Sequence, residues 1–202
     1  MWQYLWTKLL WCVADFGDVA VALPIAAIVT VWLCTRRRWS TALWYAVAVL
    51  GCSAIILFLK VAFFAGELRM PALGLQNPSG HSAVSAVVYG SLAWILSGEM
   101  PARSGRTLLW LTCAGIIAVG GALYAVRAHT LADVIVGLTL GGWFAGMFAV
   151  YGCREEVAMR GSPARLMLVI ALVALSLQSM TLVPRLTSAH LLLLMRSWTV
   201  PA

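Results

Sequence analysis

At 202 residues, 62% of them hydrophobic and 10% charged, the chain is too apolar for a soluble domain, which is about half apolar and a quarter charged. Its formal net charge of +7, from 14 Lys+Arg against 7 Asp+Glu, does not point to nucleic acid. The Arg residues fall at the ends of apolar runs, where anionic lipid head groups are the fitting partner. The expectation is an all-α integral membrane protein forming one domain over residues 1–202, a six-transmembrane-helix bundle with an N-terminal interfacial segment.

Met1 to Trp11 is Trp-rich, carries one Lys and has no basic stretch ahead of it. It reads as an interfacial segment rather than a cleavable signal, with Trp2, Tyr4, Trp6 and Trp11 at head-group level. Asp15 and Asp18 interrupt the apolar pattern and read as solvated N-terminal positions of the first helix. A span needs about 20 mostly apolar residues. The first is expected from Val19 to Cys34, closed by Arg36-Arg37-Arg38, and the second from Ser40 to Leu59, closed by Lys60. A loop from Val61 to Asn77 follows, its helix broken by Gly66, Pro71, Gly74 and then Pro78. The third span runs from Gly80 to Ser97. Arg103 and Arg106 flank a short loop before the fourth, Thr107 to Val126. The fifth runs from Thr130 to Gly152. A charged loop with Arg154, Glu155, Glu156, Arg160 and Arg165 leads to the sixth, Ala164 to Val183, stopped by Pro184. Thr187 to Trp198 is apolar but too short to span, and reads as an interfacial helix. His190 lies in this tail without polar company.

In the fifth span Gly137 and Gly141, and again Gly142 and Gly146, stand four apart, a spacing that lets helix backbones approach closely in lipid. Cys12, Cys34, Cys52, Cys113 and Cys153 are scattered without metal-like spacing and read as small hydrophobes, neither disulfides nor ligands.

The cation balance orients the bundle. The turns after spans one, three and five hold Arg36, Arg37, Arg38, Arg103, Arg106, Arg154, Arg160 and Arg165. The termini and the other two turns hold Lys8, Lys60, Arg69, Arg127, Arg185 and Arg196. The richer face is expected to be cytoplasmic. On the poorer face gather Lys60, Arg69, Ser79-Gly80-His81, Arg127, His129 and Asp133, most of the polar chemistry in the chain. Three cations and a helix N-terminus aimed at one place describe a site for a multiply charged anion, most simply a phosphate. Two His, one followed four residues later by Asp, can supply a nucleophile and a proton donor.

The order Lys60…Arg69, then Pro78-Ser79-Gly80-His81, then Arg127…His129-Thr130-Leu131-Ala132-Asp133 resembles the three signature motifs of the type 2 phosphatidic-acid phosphatase family, which shares its site with vanadium haloperoxidases. The motif core covers residues 60–137. The resemblance implies a metal-independent, cofactor-free mechanism. His129 would attack phosphorus and form a phosphohistidine, Asp133 would orient and charge-stabilise that imidazole, and His81 would protonate the leaving lipid oxygen and then activate water. Lys60, Arg69, Ser79 and the Gly80 N–H would hold the phosphoryl oxygens.

Two departures from the family pattern stand out. Eight residues separate Lys60 from Arg69, where the family has six, and Met70 precedes Pro71. The family's Ser-Arg opening of the third motif is Ala122-Leu123 here, and the nearest cation is Arg127. If the fourth span continues to Arg127, positions 123 and 127 share one helix face and Arg127 supplies the missing contact.

Plainer readings stand beside these. Lys60 and Arg127 can snorkel at helix ends. Ser79 can be only an N-cap, and Thr130 with Asp133 can form a capping box that still faces His129. The function expected is a bacterial inner-membrane, multi-pass lipid phosphatase with its site facing the periplasm. Its partners would be a lipid phosphate substrate and membrane lipids, with no nucleic acid, and homo-oligomers stay open. Undecaprenyl diphosphate is the first choice, then phosphatidic acid and phosphatidylglycerophosphate. A lipid phosphotransferase would use the same residues. A catalytically inactive lipid-phosphate-binding protein is the alternative of another class.

Overall fold

The computed structural model describes residues 2–65 and 73–152, together with 170, 171 and 173. Helices dominate the described residues: α1 (Trp2–Asp15), α2 (Val19–Thr35), α3 (Trp39–Phe64), α4 (Gly80–Ser97), α5 (Ala102–Ala125) and α6 (Leu131–Tyr151). Among the described residues four stretches are long and apolar enough to cross a membrane: Tyr4–Thr35, which takes in most of α1 and all of α2, then α3, α5 and α6. The expected sixth span, the charged loop before it, the tail with His190, and Arg69 with its neighbours lie outside the described residues.

α4 is not among the four apolar stretches, and its position explains why. It packs against α2, α3, α5 and α6, and thirteen of its 18 residues are buried. A helix enclosed by protein need not be apolar towards lipid, so Ser82, Ser85 and Ser91 sit on it fully buried. The main core lies between α2, α3 and α4, where Ile25, Val29, Leu33, Tyr45, Cys52, Val84 and Val88 pack together with Phe148 of α6.

Side-chain contacts fix which helix ends lie together. Arg38, between α2 and α3, pairs with Glu99, just beyond α4, at 3.4 Å. At the opposite end Asp18, before α2, faces His81 in the first turn of α4 at 3.5 Å. The Ser79 N–H donates to the Asp133 carbonyl at 3.0 Å, joining the starts of α4 and α6. Helices α2, α4 and α6 therefore begin at one end, and α3 and α5 finish there.

Several boundaries differ from expectation. α3 continues through Val61-Ala62-Phe63-Phe64 to its C-cap at Ala65, because this stretch stays apolar. Lys60 thus lies inside the helix and not at its end. α5 starts at Ala102 with Pro101 as N-cap, so Arg103 and Arg106 belong to its first turns and not to a loop. Asp15 and Asp18 do not open the first helix as solvated positions. Asp15 ends α1 and is 1% exposed, and Asp18 is the N-cap of α2, accepting from the Ala20 N–H. The N-terminal segment expected at the interface is helical, and Leu10, Trp11, Val13 and Ala14 of α1 rest on Val119, Ala122 and Leu123 of α5.

α6 lies against α4 because two glycines one turn apart remove the side chains between them. A Cβ on Gly137 would strike the Ser79 carbonyl, and one on Gly141 the Ala83 carbonyl. Gly142 and Gly146 have nothing within 4 Å among the described residues, so only the first of the two spaced pairs is seen in a close approach. Gly141→Ala and Gly142→Ala both gain helix propensity, so their difference isolates the contact. In detergent micelles, Gly141→Ala should lose about 1–3 kcal/mol of unfolding stability, while Gly142→Ala should lose none. Equal stability of the two variants would refute the close α4–α6 approach.

Candidate active site

The site grows from the paired N-termini of α4 and α6. Ser79 caps α4: its side-chain oxygen accepts from the Ser82 N–H at 3.3 Å and lies 2.9 Å from the Ser82 hydroxyl. Ser79 is fully buried, and because its oxygen is the acceptor in both contacts its own O–H is not used by them. Thr130 caps α6 in a reciprocal capping box with Asp133, as the sequence suggested.

Asp133 does more than cap. Its Oδ1 accepts from the backbone N–H groups of Gln76 at 3.0 Å and Asn77 at 2.8 Å. Its Oδ2 accepts from the Thr130 N–H at 3.1 Å and lies 3.7 Å from His129 Nδ1. That last distance is long for a hydrogen bond but close enough for charge pairing. The carboxylate is 2% exposed and ties the segment before α4 to the turn before α6. With Nδ1 facing Asp133, Nε2 is the nitrogen of His129 left for chemistry.

His129 sits in the short turn between α5 and α6, its side chain 12% exposed. Burial pushes its pKa below the ordinary imidazole value. The Asp133 carboxylate opposes this, nearby Lys60 adds to it, and a hydrogen bond to the Asn77 backbone opposes it again, with the net effect downward. His129 is therefore neutral, and able to act as a nucleophile, at a lower pH than a free histidine.

Lys60 reaches the same place from α3. Its Nζ comes within 3.5 Å of where a Gly80 Cβ would stand, so the absent side chain admits the ammonium to the N-terminus of α4. The helix dipole disfavours a cation there, and His81 and His129 both feel the Lys60 charge. An anion seated among these groups would relieve the conflict. Lys60, Gly80, His81, His129 and Asp133 are thus gathered around the starts of α4 and α6. Among the described residues no group of three or more His, Cys, Asp or Glu could hold a metal ion.

Arg127 and position 123 do not relate as expected. α5 ends at Ala125, and Arg127 has φ of 58°, so no helix face joins the two. Arg127 takes the left-handed position of a Schellman turn, with its N–H bonded to the Tyr124 carbonyl and the Ala128 N–H to the Leu123 carbonyl, both at 3.0 Å. Arg37 closes α2 in the same way at the opposite end, with φ of 57°, so the backbone shape alone carries no chemistry. Leu123 is 1% exposed and packed beneath α1. An Arg there would be buried among apolar side chains. Arg127 is exposed and lines an open cavity of about 460 Å³ with Gln76, Tyr124, His129 and Leu131. It reaches the neighbourhood of His129 from its own side.

Sequence reasoning missed Asp18 and the backbone of Gln76 and Asn77. Asp18 could have been found as one of two ionisable residues, with Asp15, set between apolar helices, which in a membrane protein is a functional candidate in its own right.

Residues 63–156 match the PAP2 superfamily, a stretch that includes His81, His129 and Asp133 and leaves out Lys60. The chain is also similar to a Klebsiella pneumoniae protein described as an uncharacterized 22.5 kDa protein in cps region, 30% identical over 141 residues. That alignment covers 68% of this chain and 66% of the relative. No solved structure gives a significant match. The chain is thus similar to the PAP2 superfamily over residues 63–156, and it carries helices long and apolar enough to cross a membrane.

Arg127→Gly tests the role of the Arg127 side chain without straining its turn, since glycine favours this backbone position. The variant should be at least as stable as the wild type yet bind lipid phosphate about tenfold more weakly or worse, and Arg127→Lys should recover little. Leu123→Arg combined with Arg127→Ala should destabilise the protein and restore nothing. Wild-type affinity in Arg127→Gly would remove Arg127 from the phosphate grip.

Proposed function

We propose that this protein hydrolyses a lipid phosphate or diphosphate through a phosphohistidine on His129, with undecaprenyl diphosphate the first-choice substrate. The observation that carries the reading is the Lys60 ammonium set against the N-terminus of α4 beside two histidines. Such an arrangement is electrostatically costly unless an anion completes it.

In the proposed reaction the phosphoryl oxygens are held by Lys60, Arg69, Ser79, Arg127 and the N–H of Gly80, with Ser79 also fixing the helix start that aims that N–H. Nε2 of His129 attacks phosphorus. The P–N bond forms as the P–O bond to the lipid breaks, and His81 gives its proton to the departing oxygen. Water then attacks the phosphohistidine, His81 takes the water proton, and phosphate leaves with His129 restored. Asp133 holds the His129 ring and balances the positive charge that develops on it.

The remaining parts of the reading are a single six-span unit over residues 1–202, with 164–183 as the sixth span, lying in a bacterial inner membrane with the site outward. An outward site suits recycling of a carrier lipid diphosphate, which is why undecaprenyl diphosphate precedes phosphatidic acid and phosphatidylglycerophosphate.

Phosphate release from a panel of these lipids by the full chain in detergent tests the reading, with EDTA expected to leave turnover unchanged. His129→Ala should abolish release and His81→Ala should cut it by about 10²-fold or more. The lowered pKa of His129 places the acidic limb of kcat/KM below about pH 6.5, the ordinary imidazole value, because the neutral form persists there. Near-normal turnover in His129→Ala, or no release from any lipid by the wild type, would contradict the proposal. Orientation is checked separately with Gln76→Cys and Ser104→Cys, each as the single cysteine after the five native ones are replaced. An impermeant thiol reagent applied to intact cells should label the first and spare the second, and the reverse pattern would turn the site to the cytoplasm.

A further inference from the structure

The turn between α1 and α2 is built onto the first part of α4. Its backbone is closed by Gly17 N–H to Ala14 carbonyl at 2.9 Å and Asp18 N–H to Asp15 carbonyl at 3.0 Å. The Tyr89 hydroxyl donates to the Phe16 carbonyl at 2.7 Å, tying the turn to α4. Gly17 lies so close to His81 that an added Cβ would come within 2.8 Å of the His81 carbonyl. The next residue, Asp18, is held from both sides. Its carbonyl accepts from the N–H groups of Val21 and Ala22, and its Oδ1 accepts from the Ala20 N–H at 2.9 Å. The other carboxylate oxygen, Oδ2, is left facing His81 Nε2 at 3.5 Å.

This mirrors the arrangement across the site, where Asp133 faces Nδ1 of His129. Each histidine thus has its own carboxylate, set on the opposite ring nitrogen. We propose that Asp18 is a positioning residue for His81, fixing the ring and its Nε2–H tautomer so that Nδ1 is the nitrogen that exchanges a proton with the leaving oxygen and then with water. The inference rests on the phosphatase reading of the site. The charged or titratable groups that act on His81 come from three elements: Asp18 from the α1–α2 turn, Lys60 from α3, and His129 from the α5–α6 turn. Asp18 is the carboxylate among them, and it is the one that the geometry sets against a ring nitrogen of His81, at 3.5 Å.

The test separates this role from the N-cap that Asp18 also provides. Asn caps a helix about as well as Asp, so Asp18→Asn keeps α2 while removing the charge opposite His81. The full chain is assayed in detergent with two probes, dioctanoyl phosphatidic acid and p-nitrophenyl phosphate. The first has an alkoxide leaving group that needs a proton, whereas the second leaves as a stabilised phenolate that needs one far less. Asp18→Asn should lower kcat/KM on the phosphatidic acid by about tenfold or more while changing that on the aryl phosphate by less than about threefold. The alkaline limb of the phosphatidic-acid profile should move to lower pH, because His81 then loses its proton more readily. A structural defect alone would lower both probes together and leave the limb in place, and that outcome would overturn the proposal. Histidine-selective 15N labelling gives an arm independent of turnover. Neutral His81 should be protonated on Nε2 in the wild type and become a tautomer mixture in Asp18→Asn, and an unchanged tautomer overturns the proposal. A wild type inactive on both probes but with the expected tautomer change would sink the phosphatase reading and leave the pairing standing.

Discussion

One buried carboxylate holds the site together. Asp133 takes up N–H groups from Gln76, Asn77 and Thr130, three backbone donors from two separate turns. Hydrogen bonds to a charged group contribute about 1.5–3 kcal/mol each, so the segment before α4 and the turn before α6 are pinned to one another. Only then is the carboxylate free to face His129. The geometry of His129 and the folding of the loop therefore draw on the same group.

The close contact of α4 and α6 follows from the same demand. Ser79 and Asp133 are joined backbone to backbone, which requires the two helix starts to meet, and Gly137 and Gly141 allow the helices to continue side by side. With α4 enclosed by its neighbours, its serines tolerate the membrane interior and its N-terminus carries the Gly80-His81 pair. Lys60 enters from α3 through the space that Gly80 leaves. Two histidines, a lysine and two helix N-termini end up on one face of the bundle, around a place suited to a doubly charged group.

Much of this was legible in the sequence, and for identifiable reasons. The start of α4 at Gly80 followed from Pro78-Ser79-Gly80, since proline, a capping hydroxyl and a glycine punctuate strongly. The Thr130–Asp133 box was readable from its spacing. The loop parity put the motif residues on one face, and the Asp18–His81 and Arg38–Glu99 contacts at opposite ends agree with it. What escaped was long-range or short-range in a way that periodicity does not encode. Nothing local says that Asp18 meets a histidine 63 residues on. Nothing in Ala122-Leu123 announces that α1 covers them. The i, i+4 relation assumed for Leu123 and Arg127 failed because a Schellman turn stopped α5 two residues short, in a sequence that offers Arg where glycine usually marks that stop.

The central claim is that phosphorus passes through His129. Rapid acid-free quenching of the wild type during turnover of a 32P-labelled lipid phosphate tests it most directly, followed by peptide mapping. The account predicts a phosphoryl group on His129, stable to alkali and lost in acid as a phosphoramidate should be. Turnover that proceeds with the label on another residue, or with water attacking directly and no covalent phosphoenzyme at any time point, would contradict it.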